Sequence, residues 1–594
     1  MSKKKTRWRK LDNAAKLYSA ASNKKDTRVF RFYCELKEEV NPDVLQEALN
    51  QTIEIFPTFL MVLRKGLFWH YLEPCNLRPI VKEEYKEPCS RLYIKDKKTL
   101  LFEVTYYKKR INFEVFHVLT DGTGATEFLK ELVKNYLYLI HKVNGLEPVS
   151  LLPEDMTVQD QEVDSFLKYY SKDQKRPKKR KLHAFQIRRK KKDGNHLHVH
   201  ESVVSVQAVL KRSRELGVSM TVFLTALFMM AINEEMSKMQ KKKPVVLMVP
   251  VNLRKFFPSL SMLNFFNWIE PGYNFTTQDQ SFEAILKYTK EFFEAELTKE
   301  KMSAHISELL ALELKNLCIQ AGAKYSEKNT TAIFSNMSAV KMHASYVPYI
   351  ERFGVYTNTP KFELCLCSFQ DKLSFAFTSR YDTVNIERNF YRLLKEQGIA
   401  SEKVKPEFPK TDEPSEQEMK VYKIYSFLCI AIVAAMLVTE YNFHPRIRWT
   451  LFTAGGVVTM WIASSIGFFK RYNLLKNAMW QLFIGTIICF IWDALTGWHS
   501  WSVDLVLPIM SVSTLTAMFV TAKVRKCPVR EYLIYEIMAA GYGLILPGIL
   551  LLCKVVKNPT VSMFGALICF LFLVAVILFK GREFKEEMQK NLHV

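Results

Sequence analysis

The sequence predicts a mixed α/β region over residues 8–410, followed at 420–594 by an all-α domain of six membrane-spanning helices. Three observations carry this expectation. Strand-like and helix-like patterns alternate in the first part, apolar stretches of spanning length recur from Ile424 onward, and most of the Lys and Arg precede Lys423 while nearly all the long apolar runs follow it. The two parts are written for different solvents.

Within the first part, strands are expected at 28–37, 67–72, 99–106, 110–117, 197–205, 245–250, 362–369 and 372–379. Helices are expected at 42–55, 125–143, 206–217, 219–237, 280–298 and 384–397, with Ser219 placed as the N-cap of a long apolar run. The stretch from Pro153 to Asn195 is rich in charge and poor in apolar periodicity, which marks a crossover between two halves. At 594 residues the chain is long enough for several folded units. The expected division is 1–155 and 201–415 for two α/β halves, 156–200 for the basic crossover, and 420–594 for the spans.

The six apolar stretches lie at 424–440, 449–469, 478–494, 504–521, 532–553 and 561–579. Their connections differ in charge. One side collects Lys420, Lys423, Lys470, Arg471, Lys476, Lys523, Arg525, Lys526, Arg530, Lys580, Arg582, Lys585 and Lys590, against Arg446, Arg448, Lys554 and Lys557 on the other. The positive-inside rule then puts both termini and the α/β region in the cytoplasm, in a multi-pass protein of the cell membrane. The basic start MSKKKTRWRK is not followed by an apolar h-region, so no secretory signal is expected. Trp449, Trp492, Trp498 and Trp501 fall at the expected interfaces. Glu536 is placed within the bilayer, where both a functional role and simple pairing with a basic residue of the 523–530 loop stay open.

Composition narrows the function classes. Eleven cysteines show no CxxC pair and no Cys/His metal spacing, which reads as reduced thiols in a reducing compartment. The net charge of +24 and the run Lys175–Lys192 invite a nucleic-acid reading. No nucleic-acid fold signature accompanies the run, so nucleic acid is not an expected partner, and a solvated loop or attraction to anionic lipids fits better. His196, His198 and His200 share one face of a strand, but no acidic or Cys residue is close in sequence and edge-strand polarity explains the alternation, so no metal is expected.

The informative chemistry sits in Ile111-Asn112-Phe113-Glu114-Val115-Phe116-His117-Val118-Leu119-Thr120-Asp121-Gly122-Thr123-Gly124. Alternation carries a strand to His117, and Asp-Gly-x-Gly forces a turn before a helix. A histidine at a strand end can project into a cleft while its backbone stays rigid. On its own, the short His-x-x-x-Asp-Gly pattern also arises by chance.

Four further segments narrow the reading. His117–Gly122 resembles the HxxxDG signature of the CoA-dependent acyltransferase superfamily, which contains chloramphenicol acetyltransferase, condensation domains, alcohol acetyltransferases and the plant BAHD enzymes. Val249-Pro250-Val251-Asn252-Leu253-Arg254 resembles the PVNLR segment of its condensation-type members, and Leu263-Asn264-Phe265 their Gly-Asn-Phe stretch. Phe334-Ser335-Asn336-Met337-Ser338 resembles an SNLG-like segment across the cleft, and the opening WRKLDNAAKLYS resembles the start of alcohol-acetyltransferase-like proteins. The chain departs from the pattern at Phe116, where many members have a first histidine, at Leu263 in place of Gly, and at Met337-Ser338 in place of Leu-Gly; the plant-type DFGWG motif is missing.

The resemblance implies two chloramphenicol-acetyltransferase-like halves forming a pseudo-dimer. It implies His117 as the general base that takes a proton from an alcohol or amine as this attacks an acyl thioester, with acyl-CoA or an acyl carrier as co-substrate and no bound cofactor. Asp121 is implied to pair with Arg254 and shape the loop, Gly122 and Gly124 to permit the turn and close approach to substrate, and Asn264, Ser335 and Asn336 to stand as substrate-binding candidates. With spans attached, the expected acceptor is a membrane lipid or membrane-associated molecule. Two other readings remain open: a noncatalytic acyltransferase-like binding or regulatory membrane protein, and a transporter whose soluble domain modifies cargo.

Overall fold

The computed structural model describes all residues except 1–7, 24–25, 67–68, 154–155, 172–182, 188–196, 311–326, 382–384, 405–406, 410–414, 444–448, 471–472, 526–528 and 593–594. The chain divides into a large unit ending at Asp412 and a second unit made mainly of Glu413–Val594.

The large unit is built on three sheets. A five-stranded sheet runs in the order Ile350–Thr357, Val29–Leu36, Arg110–Phe116, Phe102–Tyr107, Lys82–Glu83, with only the last pair parallel. A larger mixed sheet runs Phe266–Ile269, Val245–Asn252, Ala332–Ala339, Phe362–Phe369, Lys372–Ser379, His198–Ser205, Glu402–Val404, and Gly272–Tyr273 also pairs with Val245–Asn252. A small sheet joins Arg9–Lys10, His70–Pro74 and Met61–Lys65.

The larger sheet is covered on both faces. Along Phe362–Phe369, Cys365, Cys367 and Phe369 enter one core with Phe32, Phe113 and Phe128, while Phe362, Leu364 and Leu366 enter another with Phe228, Phe375 and Phe390. The period-2 pleat sends successive residues to opposite faces, so a strand buried on both reads as the unbroken apolar run FELCLCSF. Helices flank the sheets and begin at side-chain caps. Asn41 caps Pro42–Ile55, Ser205 caps Val206–Glu215, and Ser219 caps Met220–Glu234 by accepting from Val222 N at 3.3 Å.

Most expected elements recur within a few residues, and the differences have local causes. The strand placed at 67–72 is His70–Pro74, paired with a strand at Met61–Lys65 that the pattern did not suggest. The helix Asn13–Ala21 and the strands Ala332–Ala339 and Ile350–Thr357 were also not anticipated. In Ile350–Thr357 the disguise is Gly354. It stands opposite Tyr33, and any Cβ there would strike the Tyr33 ring, so a residue that normally weakens a strand is required by its neighbour. Of the basic run Lys175–Lys192, only 183–187 lies within the described residues. There Ala184, Phe185 and Ile187 are buried, and Phe185 N donates to Pro244 O at 2.9 Å. His196 lies outside the described residues, and His200 Nδ1 sits 3.6 Å from Glu387 Oε2.

The second unit holds six helices long and apolar enough to cross a membrane: Met419–Asn442, Phe452–Lys470, Leu474–Leu495, Ser502–Val524, Tyr532–Leu552 and Pro559–Gly581. Two buried carboxylates organise the turns at one end. Asp493 accepts from His499 N, Ser500 N, Ser502 N and Ser502 Oγ at 2.7–3.2 Å, and Asp504 accepts from Lys557 N and Asn558 N at 3.0 Å. Glu536 is buried between helices, and its Oε1 has no hydrogen-bond partner among the described residues.

The two large sheets are tied by a buried ionic cluster. Arg352 on the strand Ile350–Thr357 donates to Glu201 Oε2 of the larger sheet from both terminal nitrogens at 3.1 Å, to Glu35 Oε2 at 2.7 Å and to Tyr33 Oη at 2.7 Å, and Tyr33 Oη donates to Glu201 Oε2 at 2.8 Å. Removing one partner strands the other charge. Glu201→Ala is therefore expected to destabilise the large unit by about 3–5 kcal/mol, and Glu201→Ala with Arg352→Met by clearly less. Denaturant unfolding of the single and double variants checks this.

Candidate active site

The strand Arg110–Phe116 is buried along its whole length and ends at His117. A tight turn, closed by Leu119 N donating to Phe116 O at 2.9 Å, leads into the helix Gly122–His141. Asp121 is its N-cap, with Oδ1 accepting from Thr123 N and Gly124 N at 3.1 Å. The glycines serve space rather than backbone angle. A Cβ on Gly124 would collide with Thr120 Oγ1 and Met262 O, and one on Gly122 would lie 2.6 Å from Met337 Sδ.

The second oxygen of Asp121 ties in a distant segment. Oδ2 accepts from Arg254 Nη1 at 2.6 Å and from Phe265 N at 2.8 Å. Arg254 Nη2 in turn donates to Ser261 O at 2.8 Å and Leu263 O at 2.7 Å. The guanidinium thus gathers the carbonyls of 261–263 while the carboxylate holds the backbone at 265. Between these two anchors lies Asn264.

Asn264 is buried, and its Oδ1 meets His117 Nδ1 at 3.0 Å. Its Nδ2 donates to Asp12 Oδ2 at 3.1 Å. An amide oxygen accepts only, so His117 carries its proton on Nδ1 and keeps the lone pair on Nε2. The ring is packed among Tyr18 at 4.4 Å, Phe30 at 4.8 Å and Phe266 at 5.3 Å between centroids. Burial among these rings outweighs the opposing pull of Asp121 and Asn264 and lowers the His117 pKa to about 4. At neutral pH the imidazole is uncharged.

His117, Asp121, Gly122, Arg254 and Asn264 are one connected set. Ser335 and Asn336 are not bonded into it. Ser335 is buried on the strand Ala332–Ala339, and the Asn336 amide donates to Thr221 Oγ1 at 3.1 Å and accepts from Ser338 N at 2.9 Å. Their strand reaches the motif through Met337, which covers Gly122. Sequence reasoning gave no role to Asp12, Tyr18 and Phe266, although WRKLDNAAKLYS holds the first two. An Asp directly before a helix-forming NAAKLYS is an N-cap signal, and it would have marked the residue but not its partner. Among the described residues no group of His, Cys, Asp and Glu is placed to hold a metal ion.

The large unit is similar in overall structure to several solved proteins at low identity. One is TRI3, the trichothecene 15-O-acetyltransferase of Fusarium sporotrichioides, with 10% identity, a TM-score of 0.46, and 66% of this chain and 94% of that one covered. A second is polyketide synthase associated protein 5 of Mycobacterium tuberculosis, with 12% identity, a TM-score of 0.45, and coverage of 65% and 97%. A third is the first condensation domain of the CDA synthetase, with 12% identity, a TM-score of 0.47, and coverage of 66% and 96%. Residues 408–594 match DUF6320, a family of unknown function. No curated protein matches the sequence.

Two outcomes follow from the site's electrostatics. Asp121→Asn leaves Arg254 buried without its counter-charge, and a loss of about 3–5 kcal/mol is expected, read by denaturant unfolding. The second concerns pH. The unfolded chain binds a proton at His117 below about 6.5, whereas the folded chain binds it only near 4. Stability due to this residue is therefore lost as pH falls through that window, by about 2 kcal/mol at pH 5 relative to neutral pH. Wild type is expected to lose that much more than His117→Gln in paired unfolding measurements at pH 7.5 and 5.

Proposed function

We propose that this chain is a membrane-anchored acyltransferase in which His117 Nε2 is the general base. The observation that carries the reading is the 3.0 Å contact of His117 Nδ1 with Asn264 Oδ1, which favours a proton on Nδ1 and leaves Nε2 as the basic nitrogen. The donor is an acyl thioester, acyl-CoA or an acyl carrier, and the acceptor is an alcohol or amine. Nε2 takes the acceptor's proton as its oxygen or nitrogen attacks the thioester carbonyl carbon. The tetrahedral intermediate then collapses with cleavage of the carbon–sulfur bond, and the proton on Nε2 passes to the departing thiolate. Acyl thioester and acceptor become ester or amide and free thiol, with the histidine restored.

A base whose pKa lies well below neutral is fully deprotonated at cytoplasmic pH. The imidazolium that forms during attack is met by Asn264 Oδ1 and, one bond further, by the Asp12 carboxylate. Asp121 serves as the clamp on Arg254 and has no part in proton transfer. Asn336 is assigned to holding the strand end rather than to substrate. The six apolar helices hold this site at the cytoplasmic face of the cell membrane, where a lipid-borne acceptor is concentrated without tight intrinsic binding.

Membranes bearing the full-length protein, incubated with labelled acyl-CoA and a total lipid extract, are expected to form a labelled product. His117→Ala should lower its rate by about 10²- to 10⁴-fold. Equal product from wild type and His117→Ala would remove the assignment of the base, and no product from wild type would favour a noncatalytic role.

A further inference from the structure

The side-chain amide of Asn264 is nearly symmetric in shape, and either end fits between His117 and its neighbour on the far side. Which end faces which partner, together with the backbone of His117 itself, which also favours a ring N–H, sets where His117 carries its proton. With the oxygen toward the ring, Nδ1 holds the proton and Nε2 is free. With the amide reversed, Nδ1 must accept, and the proton moves to Nε2, where it blocks general-base work. We propose that Asp12 is a positioning residue for the His117 base, its carboxylate holding Asn264 in the orientation that leaves the Nε2 lone pair free. The inference rests on the reading of His117 given above.

Asp12 stands at the N-cap of the helix Asn13–Ala21 and is buried. Its Oδ1 accepts from Ala15 N at 2.7 Å and its Oδ2 from Asn264 Nδ2 at 3.1 Å. An ionised carboxylate has no hydrogen to donate, so only the NH2 end of Asn264 can face it. Two changes reverse that demand. In Asp12→Asn the single side-chain oxygen remains with Ala15 N, and an NH2 group takes the place of Oδ2. Protonation does the same with a hydroxyl, because Oδ1 is already engaged as acceptor. Asn264 must then turn its oxygen to residue 12 and its NH2 to His117. The helix cap survives and the base does not. The same helix supplies Tyr18, which walls the ring at 4.4 Å, so one short element gives the histidine both an apolar side and a polar tether.

The groups facing this pair bear on its pH response. Asp164, the cap of Ser165–Lys168, and Arg9, on the strand Arg9–Lys10, act on Asp12 with opposite sign, while Asp121 and Arg28 act on His117. Burial dominates at both sites. It raises Asp12 to about 7 and lowers His117 to about 4, so as pH falls the carboxylate is lost before the imidazole is protonated. The competent form declines through about pH 7.

Diethyl pyrocarbonate acylates an unprotonated imidazole nitrogen and reads the free lone pair without any acyl transfer by the protein. The full-length protein in membranes is labelled across pH 4–8, and modification of His117 is quantified by peptide mass spectrometry, with exposed His343 as internal reference. At pH 7.5, Asp12→Asn is expected to slow His117 labelling by about tenfold relative to His343, the shift that one hydrogen-bond preference gives. Asp12→Ser keeps a capping oxygen but has no second group for Asn264. Its rate should be intermediate, with the fall in acid moved down toward the titration of His117 itself. In wild type the fall is expected through about pH 7. The proposal is overturned if His117 is labelled equally in wild type and Asp12→Asn, or if wild-type labelling falls only near pH 4. Should the labelling differences hold while wild type forms no acylated product, the role of Asp12 stands and the acyl-transfer reading falls.

Discussion

The ion pair between Asp121 and Arg254 is the constraint on which the rest of the site depends. Residues 133 positions apart meet at 2.6 Å, and each makes further hydrogen bonds to backbone: Asp121 to Thr123, Gly124 and Phe265, Arg254 to Ser261 and Leu263. A buried charge pair contributes modestly to net stability, since desolvation offsets much of the attraction. Its value here is registration. The pair fixes the motif turn against the 261–265 segment, and only that alignment brings Asn264 to His117 Nδ1. The catalytic-looking carboxylate of the motif is thus a fastener, while the carboxylate that faces the histidine's partner comes from residue 12.

How much of this was legible follows from where each signal is stored. His117, Asp121 and Arg254 sit in short contiguous motifs: a strand running into Asp-Gly-x-Gly marks a turn after His117, while the weight given to His117 and the pairing of Asp121 with Arg254 come from the resemblance to the acyltransferase segments. The helices at 42–55 and 384–397 were legible because amphipathic spacing and capping residues are also local. Asp12 and Asn264 are 252 residues apart, and no pattern in either neighbourhood names the other. Asn336 illustrates the opposite case. A segment matching a recognisable motif made it a substrate-binding candidate, and packing adds what the motif does not announce, bonds from its amide to Thr221 and Ser338. The strand Ile350–Thr357 was hidden for a similar reason, since the glycine that interrupts it answers to Tyr33 across the ladder.

The second unit shows how polar groups are handled in an apolar setting. Asp493 and Asp504 are buried but saturated with N–H and O–H donors, and each pins the turn beside it. Such carboxylates do the work of helix caps, removing orphan backbone donors where water is scarce. They were visible in sequence only as ionisable residues near span ends. Their structural employment explains why such apolar helices tolerate them.

The strand Ile350–Thr357 bears on how the chain acquires its fold. It forms the edge of a sheet whose other members all come from the first 116 residues, so that sheet cannot be completed until more than 230 further residues have left the ribosome. Until then Val29–Leu36 presents an open, strongly apolar edge, the kind of surface that pairs with other chains. Closing it requires a contact of very long sequence separation, which makes folding slow. The first helix long and apolar enough to cross a membrane begins at Met419, only 62 residues after Thr357. Completion of that sheet and emergence of the first of the six apolar helices therefore fall in the same brief interval of synthesis. A nascent chain of this architecture depends on protection of its N-terminal strands during the very steps in which its apolar helices leave the ribosome.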